Sequence, residues 1–357
     1  MNSQAQNAPA PPPGLLGKVR PRNRSAIEVV QDLGLVVILV ICSILLGLAS
    51  PVFFTGINIE NLLFSSTIIA VVAIGEAFVI MVSGIDLSVG AVLALSSVLC
   101  VGLAANQGFP VWLSTLVALL VGAGVGFING VSVTRFKIPP LIATLAMMSI
   151  ARGVAFIYSG GRNIAPIPDI FSDIQEARLF GIPVIILFTI IIALIAHFVL
   201  SNTRFGREIY ATGGNPIAAT LSGIRASRVI ISAYVISGVA AAIGGLMITA
   251  RLEAGAATAG FGTELTVISA VVIGGVSLFG GEGKIGSVML GVLLLGLVQN
   301  AINLLNVPPN YDYIVSGLVI ALAAAVDDFR RRVTEKGARR RAADVKKEQA
   351  GRSAKAD

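Results

Sequence analysis

The sequence has little charge, few aromatic residues and almost no histidine or cysteine. Of its 357 residues, 13% are charged and 6% are aromatic, and there are one His, one Trp and two Cys. Soluble domains carry about 25% charged residues, so most of this surface is expected to face lipid. No ligand cluster surrounds Cys42 or Cys100, which argues against a metal site or a disulfide framework. We expect both cysteines to be packing residues.

Catalytic motifs are lacking as well. There is no His-Glu-x-x-His motif and no plausible Ser-His-Asp set. The stretch GGEGKIGS (280–287) resembles a phosphate-binding loop, but Leu278 stands at the required first glycine and Ile285 follows the lysine. We therefore predict neither an enzyme nor an ATP site in this chain. The net charge of +7 does not indicate nucleic-acid binding, because the basic residues lie at the chain ends and in short loops.

Long apolar runs are what the sequence does have. It is 55% hydrophobic, its mean hydropathy is +0.88, and it contains 39 Gly, which suits close packing of membrane helices. A bilayer core needs about 20 apolar residues per helix. The runs predict an all-α polytopic membrane protein with about ten transmembrane helices, at 32–54, 60–82, 87–106, 110–133, 139–159, 182–201, 229–250, 264–280, 285–306 and 311–327.

The distribution of Lys and Arg predicts the orientation of these helices. With ten crossings and a cytoplasmic N-terminus, only Arg162, Arg178 and Arg251 fall in external loops, and Arg152 lies within a span. The other Lys and Arg residues are all on the cytoplasmic side, as the positive-inside rule requires. The sequence therefore predicts a multi-pass protein of the cytoplasmic membrane with both termini in the cytoplasm.

Three regions are predicted along the chain. Residues 1–31 are predicted to be a disordered, basic cytoplasmic segment, and the apolar run behind it a retained anchor rather than a cleaved signal peptide. Residues 32–327 form the predicted transmembrane domain, and 328–357 a basic cytoplasmic tail beside anionic lipid. Within the domain, GIDLSVG (84–90) and GGEGKIG (280–286) have similarly spaced glycines and an acid, which predicts two pseudo-repeated halves.

Two acids interrupt the apolar sequence of the first half. Asp86 lies where one predicted span ends and the next begins, and two interpretations stay open. It caps the new helix by accepting hydrogen bonds from free N–H groups, or it belongs to an interrupted backbone that lines a gate or pathway. Glu76 lies well inside a span, where it either faces a polar cavity or pairs internally, with Arg152 as the candidate partner.

The segment 202–228 differs from the other loops. It contains charges, a Gly-Gly-Asn-Pro turn and the Ala-rich stretch PIAATLSGI, in which Pro216 suits the first turn of a helix and Gly223 its end. A short amphipathic cytoplasmic helix between two spans is well placed to dock a soluble partner. In the fourth span, Gly122, Gly126 and Gly130 form a stripe that predicts close helix packing.

Four stretches together resemble a known family. They are GIDLSVG (84–90), KIPPLIATLAMMSIARG (137–153), FGREIYATGGNPIAATLSGI (205–224) and AVVIGGVSLFGGEGKIGSVMLG (270–291). The chain is similar, over roughly 55–327, to the ribose-type permeases, the membrane subunits of bacterial ABC importers for monosaccharides. It departs from the family pattern at Thr266, where an aspartate is common, and at Ala146, where a glycine is common.

The resemblance implies partners and functional residues. Two permease subunits, identical or different, would form the pathway, a cytoplasmic ABC ATPase would hydrolyse ATP, and a periplasmic sugar-binding protein would deliver the cargo. No cofactor and no metal are implied. The segment 202–228 would couple the permease to the ATPase through Arg207, Glu208, Gly213, Gly214, Asn215, Ala218, Ala219 and Gly223.

Sugars are neutral polyols, so their pathway needs hydroxyl and amide groups rather than strong charges. Asn129, Thr144 and Ser149 are candidates, together with Glu76 and Asp86. Alternating access driven by the ATPase is the expected mechanism. The alternatives are an ion-coupled secondary transporter using Glu76, an intramembrane enzyme, and an ABC permease for a polyol or a sugar-like signal molecule.

Overall fold

The computed structural model describes residues 26–308 and, beyond them, 310, 311, 314, 315, 317, 318, 321, 322 and 325. The described part is mostly helical. Its helices are α1 (Ala26–Ala49), α2 (Gly56–Met81), α3 (Val89–Ala105), α4 (Val111–Thr134), α5 (Pro140–Ser159), α6 (Asp169–Glu176), α7 (Val184–Asn202), α8 (Arg204–Gly214), α9 (Pro216–Leu221), α10 (Ala226–Leu252), α11 (Thr263–Ile273) and α12 (Ile285–Leu304). A short hairpin of β1 (Arg178–Leu179) and β2 (Ile182–Pro183) precedes α7.

Six of these helices are long and apolar enough to cross a membrane, namely α2, α4, α5, α7, α10 and α12. Three shorter apolar helices accompany them in the described residues: Leu33–Ala49 within α1, α3 and α11. These helices overlap the first nine predicted spans. The tenth predicted span, 311–327, lies mostly outside the described residues, as do 1–25 and the tail, so the count of ten and the two-repeat layout stay predictions.

Two irregular segments interrupt the bundle. The first break, residues 82–88, separates α2 from α3, and the second break, residues 274–284, separates α11 from α12. The predicted eighth span, 264–280, is therefore wrong at its end, because α11 stops at Ile273. Gly274 follows the helix and Gly275 has a φ of +81°, a left-handed conformation that glycine adopts without steric cost.

The core is built around α10, which packs against α4, α2 and α3. The glycine stripe of α4 makes the closest approach. A Cβ added to Gly122 would lie 2.5 Å from the carbonyl oxygen of Gly238, and one added to Gly126 would overlap the backbone of Tyr234. The predicted close-packing role of this stripe therefore agrees with the contacts, since only glycine lets the two backbones meet here.

The two ends of the bundle carry different structures. Helix α7 runs from the hairpin at one end to α8 and α9 at the other, so we call these ends the hairpin face and the α8–α9 face. At the hairpin face, Arg178 of β1 makes a bidentate ion pair with Glu60 of α2, with N···O distances of 3.0 and 2.6 Å. This pair fastens the connection between α5 and α7 to the membrane helices.

Candidate functional site

The first break carries the chain back into the bundle. After Met81 the backbone turns at Ser83, whose φ is +64°. Gly84 then passes the hydroxyl of Tyr234, where a Cβ would come within 2.7 Å of that oxygen. The backbone N–H of Asp86 donates to Oε1 of Glu76 at 3.0 Å. Helix α3 therefore begins beside Glu76, inside the bundle and not level with the end of α2.

The carboxylate of Asp86 is surrounded by donors. Its Oδ1 accepts from the backbone N–H of Ser88 at 3.0 Å, from the Ser88 hydroxyl at 2.6 Å and from Nδ2 of Asn129 at 3.4 Å. Its Oδ2 accepts from the hydroxyl of Ser237 on α10 at 3.2 Å. Glu76 and Asp86 are 0% and 1% exposed. We call Glu76, Asp86, Ser88, Asn129 and Ser237 the polar cluster.

Asp86 does not make the predicted capping bond to an N–H of the new helix. Its side chain bonds Ser88, the residue just before α3, instead of an N–H within the first helical turn. By also bonding α4 through Asn129 and α10 through Ser237, it ties the start of α3 to two neighbouring helices. Four hydrogen bonds from three different segments therefore converge on the Asp86 side chain and restrain the first break.

The predicted pathway residues do not all lie together. Thr144 joins the cluster region, since its hydroxyl lies 3.3 Å from the carbonyl oxygen of Ile85 and 2.9 Å from that of Pro140. Ser149 lies on an exposed face of α5 and bonds its own helix at Leu145. The structure thus brings Glu76, Asp86, Asn129 and Thr144 to the first break and leaves Ser149 apart.

The suggested pair between Glu76 and Arg152 is wrong. Nη1 of Arg152 donates to the carbonyl oxygens of Ala257 and Ala259, at 2.8 and 2.6 Å, and the guanidinium lies 4.1 Å from the ring centroid of Phe261. Arg152 therefore holds the segment that leads into α11. In the described part of the chain, Oε2 of Glu76 and Oδ1 of Asn129 are buried without a hydrogen-bond partner.

The segment 202–228 folds into two short helices with clear capping. The hydroxyl of Thr203 accepts from the N–H of Gly206 at 3.2 Å, and Oδ1 of Asn215 accepts from the N–H of Ala218 at 2.9 Å. Pro216 occupies the first turn of α9, and Gly223 has a φ of +85° after its end. The sequence pattern indicated α9 but not α8 as a separate helix.

Helix α8 touches both breaks. The Ser83 hydroxyl lies 3.0 Å from the carbonyl oxygen of Gly213 and 2.7 Å from that of Phe279, and can donate to either. The N–H of Gly281 donates to the carbonyl oxygen of Met81 at 2.9 Å. A Cβ on Gly213 would overlap that same Met81 carbonyl. Three stretches of backbone therefore meet at one place, which we call the junction (Met81, Ser83, Gly213, Phe279, Gly281).

The predicted coupling residues divide by exposure. Gly213 and Ala219 are buried and Glu208 is half-buried, with its Oε1 bonded to Nε of Arg204 at 2.8 Å. The exposed members are Arg207, Gly214, Asn215, Ala218 and Gly223.

Sequence reasoning missed Ile217 and Leu221. They are 74% and 85% exposed and lie four residues apart on α9. An apolar pair at this spacing on a short helix in a polar loop was the available signal.

The chain matches known proteins over most of its length. Residues 58–324 match the family described as branched-chain amino acid transport system / permease component. The ribose import permease protein of Haemophilus influenzae is 38% identical over 310 residues, which cover 86% of this chain and 94% of that protein. The L-arabinose ABC transporter permease protein of Azospirillum brasilense is 36% identical, covering 92% and 96% of the two chains.

A third relative is the fructose import permease protein of Rhizobium meliloti, 35% identical over 89% of this chain and 90% of that protein. No solved structure matches the chain significantly. The match to the permease family covers most of the described helices, including both breaks and the segment 202–228. The family resemblance predicted from the sequence is therefore confirmed. This chain belongs to the ribose-type family of membrane permease subunits of bacterial ABC importers for monosaccharides.

Proposed function

We propose that this chain is the transmembrane subunit of an importer that passes a monosaccharide across the inner membrane, driven by ATP hydrolysis in a separate cytoplasmic ABC ATPase. A periplasmic binding protein delivers the sugar, and a second permease, identical or different, completes the pathway. Relatives of 35 to 40% identity are named for ribose, L-arabinose, D-allose and fructose. These four sugars are the cargo panel to test first.

The observation that carries the proposal is the junction. A pathway subunit that hydrolyses no ATP must receive motion from its partner at a surface that reaches its own gating elements. The exposed side of α9 offers Ile217 and Leu221 for docking, and α8, joined to it through Asn215, contacts both breaks of the bundle. In this arrangement only α8 lies between the exposed docking surface on α9 and the two breaks in the bundle.

The polar cluster has a positioning role in this mechanism. Asp86 fixes the start of α3 to α4 and α10, so displacement of the first break by α8 is carried to three helices together. Glu76 and Asn129 each keep a buried oxygen that can accept a further donor when these helices shift. Thr144 steadies Ile85 from α5. Ser149, on the exposed face of α5, serves the pathway only if a second permease packs there.

The orientation proposed from the Lys and Arg distribution fits this arrangement. With both termini in the cytoplasm, α8 and α9 lie on the cytoplasmic side, where the ATPase docks. The hairpin face, with Arg178 and Glu60, then lies in the periplasm and meets the binding protein. Labelling of single cysteines from either side of the membrane tests this assignment, and external labelling of residue 217 would contradict it.

The functional test uses the permease assembled with its ATPase and binding protein in proteoliposomes. We expect ATP-dependent uptake of at least one sugar of the panel. Ile217→Asp should reduce ATPase capture by about tenfold or more, because it places a charge in an apolar contact. The conservative Ile217→Leu should retain capture. Phe180→Asp, at an apolar position on the hairpin face that is 92% exposed, is the matched control and should leave capture unchanged.

One result would overturn the proposed function, and another would overturn the docking surface. Uptake by the permease alone under an ion gradient, without ATPase, would indicate a secondary transporter. Normal ATPase capture and uptake in Ile217→Asp together with Leu221→Asp would remove the docking role from α9.

A further inference from the structure

Helix α5 stands at the edge of the bundle. It packs against α3 and α4 and leaves its other side exposed. Ser149, Arg152 and Phe156 follow one another on α5 at spacings of three and four residues, which places them on one face. Phe261, from the segment before α11, lies beside them, with its ring centroid 6.5 Å from that of Phe156. We call Ser149, Arg152, Phe156 and Phe261 the edge surface.

The ring of Phe261 is presented by its neighbours. Gly260 and Gly262, on either side of it, have φ angles of +69° and +77°, left-handed conformations in which the chain turns sharply. The guanidinium of Arg152, which is bonded to two carbonyl oxygens of the same segment, lies 4.1 Å from the ring centroid. The ring nevertheless stays 54% exposed. Phe261 therefore rests on Arg152 with one side and leaves the other side open.

The depth of Arg152 argues against a surface that faces lipid. Arg152 lies seven residues before Ser159, the last residue of α5, and is thus about 10 Å from that end of a membrane-spanning helix. Its side chain is half-buried, and Nε and Nη2 make no hydrogen bond to the described residues. A charge at such a depth is costly in hydrocarbon, and membrane proteins place it toward the bundle interior or a water-filled space. We therefore expect water and protein, not lipid, beside the edge surface.

We propose that the edge surface lines the sugar pathway between two permease subunits, and that the open side of the Phe261 ring is the platform on which a monosaccharide stacks as it passes. Aromatic side chains line ligand sites and can cover the C–H face of a sugar, whose hydroxyl groups stay free for water and for Ser149. The inference rests on the proposed function and adds the residues that meet the cargo. Arg152 is a positioning residue, because it holds the ring and its segment in place. The second permease covers the apolar remainder of the exposed side, which includes Ile142, Leu145 and Ile150.

Phe261 is also connected to the first break. Gly260 lies against Gly90 in the first turn of α3, since a Cβ on Gly260 would lie 2.7 Å from the carbonyl oxygen of Gly90, and one on Gly90 would overlap the carbonyl of Gly260. Helix α3 follows the first break, which contacts α8 at the junction. Displacement of α3 by α8 therefore moves the segment that carries Phe261, which gives the ATPase a route for narrowing or widening the pathway at the ring.

Uptake by the assembled transporter in proteoliposomes tests the platform. Phe261→Ala is expected to lower uptake of the best sugar in the panel by about three- to tenfold at low sugar concentration, because the stacking contact is lost. Phe261→Tyr keeps the ring and should transport within about twofold of wild type. Phe198→Ala on α7, at a phenylalanine that is 59% exposed and outside the edge surface, is the matched control and should match wild type. All three variants should keep ATPase capture and basal ATP hydrolysis.

Combined variants test the positioning role of Arg152. Arg152→Gln removes the charge beneath the ring and should lower uptake by a factor similar to that of Phe261→Ala. If Arg152 acts through Phe261, the double variant should transport no worse than Phe261→Ala alone, because the two residues then form one coupled unit. Losses that multiply in the double variant would contradict this role.

Cysteine labelling reports what adjoins the edge surface without depending on the transport rate. In a Cys42→Ala and Cys100→Ala background, Ser149→Cys is treated with a charged thiosulfonate during ATP turnover with sugar-loaded binding protein. Leu194→Cys is the control, since it is exposed on α7 and equally far along its helix from the hairpin face. We expect Ser149→Cys to react at least about tenfold faster, because a thiol in hydrocarbon does not ionise and the charged reagent does not enter.

The outcomes separate the two proposals. If the wild-type transporter takes up a sugar and Phe261→Ala transports within about twofold of it, the ring is not the platform and the proposed function stands. The same holds if Phe261→Tyr loses as much uptake as Phe261→Ala, since an aromatic ring would then not support transport. Labelling of Ser149→Cys as slow as that of Leu194→Cys would place the edge surface against lipid and overturn the inference. If wild type takes up none of the four sugars, the proposed function fails and this inference fails with it.

Discussion

Asp86→Ala separates a positioning role of the polar cluster from a role in contacting sugar. The substitution removes the acceptor for Ser88, Asn129 and Ser237. Ser237, in mid-helix, can turn its hydroxyl to a carbonyl of its own helix, and Asn129 keeps a bond of 2.9 Å to Ser88 Oγ. The backbone N–H and the hydroxyl of Ser88 are left unsatisfied.

Each such buried donor costs about 1 to 3 kcal/mol. Removing a buried carboxylate also recovers part of its own desolvation cost, so we expect a net loss of about 2 to 4 kcal/mol in the free energy of unfolding. Asp86→Asn keeps one acceptor oxygen for Ser88 and offers its amide to Ser237. We therefore expect it to lose only about 1 kcal/mol, because most of these hydrogen bonds can form again.

Titration of the purified variants with SDS in mixed micelles measures these losses, and proteoliposome uptake measures function in parallel. Ser149→Ala, which removes an exposed hydroxyl bonded to its own helix, should change the unfolding free energy by less than about 0.5 kcal/mol. The positioning reasoning is refuted if Asp86→Ala is as stable as wild type while uptake is lost. That pattern would place Asp86 in the pathway.

Three further predictions follow from named contacts. Gly126→Leu should destabilise the protein by about 2 kcal/mol or more, since it forces α4 from α10; Gly124→Leu, with nothing within 4 Å of an added Cβ, should not, as SDS titration of both will report. Ser83→Ala removes the hydroxyl shared by α8 and the second break, so the number of sugars moved per ATP should fall while folded yield is kept. Glu60→Gln breaks the exposed ion pair with Arg178 and should lower the melting temperature only slightly, with a smaller effect at high salt, as measured at two ionic strengths.

The lengths of the apolar runs predicted the helices, because the thickness of the bilayer sets these lengths and the fold hardly affects them. The same rule placed the end of α11 seven residues late, since Val276, Leu278 and Phe279 continue the apolar run beyond the helix. Gly274 and Gly275 mark the end of α11, but glycine is too frequent in this chain for two glycines to predict where a helix ends. Gly274 packs against the backbone of Ser287 and Val288 on α12, a contact across the second break that run length does not report.

For the polar residues, too, the sequence indicated which residues are unusual but not which groups they contact. Asp86 could be identified because burying a carboxylate in an apolar segment costs free energy. The hydrogen bond from its backbone N–H to Glu76, by contrast, forms only because the chain turns back at Ser83. Arg152 offered the obvious opposite charge for Glu76, yet its helix faces the segment before α11. Which groups meet across a bundle depends on helix rotation, and no spacing within one span encodes it.

The junction is made of backbone atoms with scarcely any side chain between them. Flexible side chains absorb small displacements by changing rotamer, whereas touching main chains in a densely packed interior do not. A step of one ångström at Gly213 must therefore reappear at Met81 and Gly281 with little attenuation. Under the proposed function, this rigid contact transmits motion from α8 to both breaks, and residues elsewhere can change the accepted cargo without altering it.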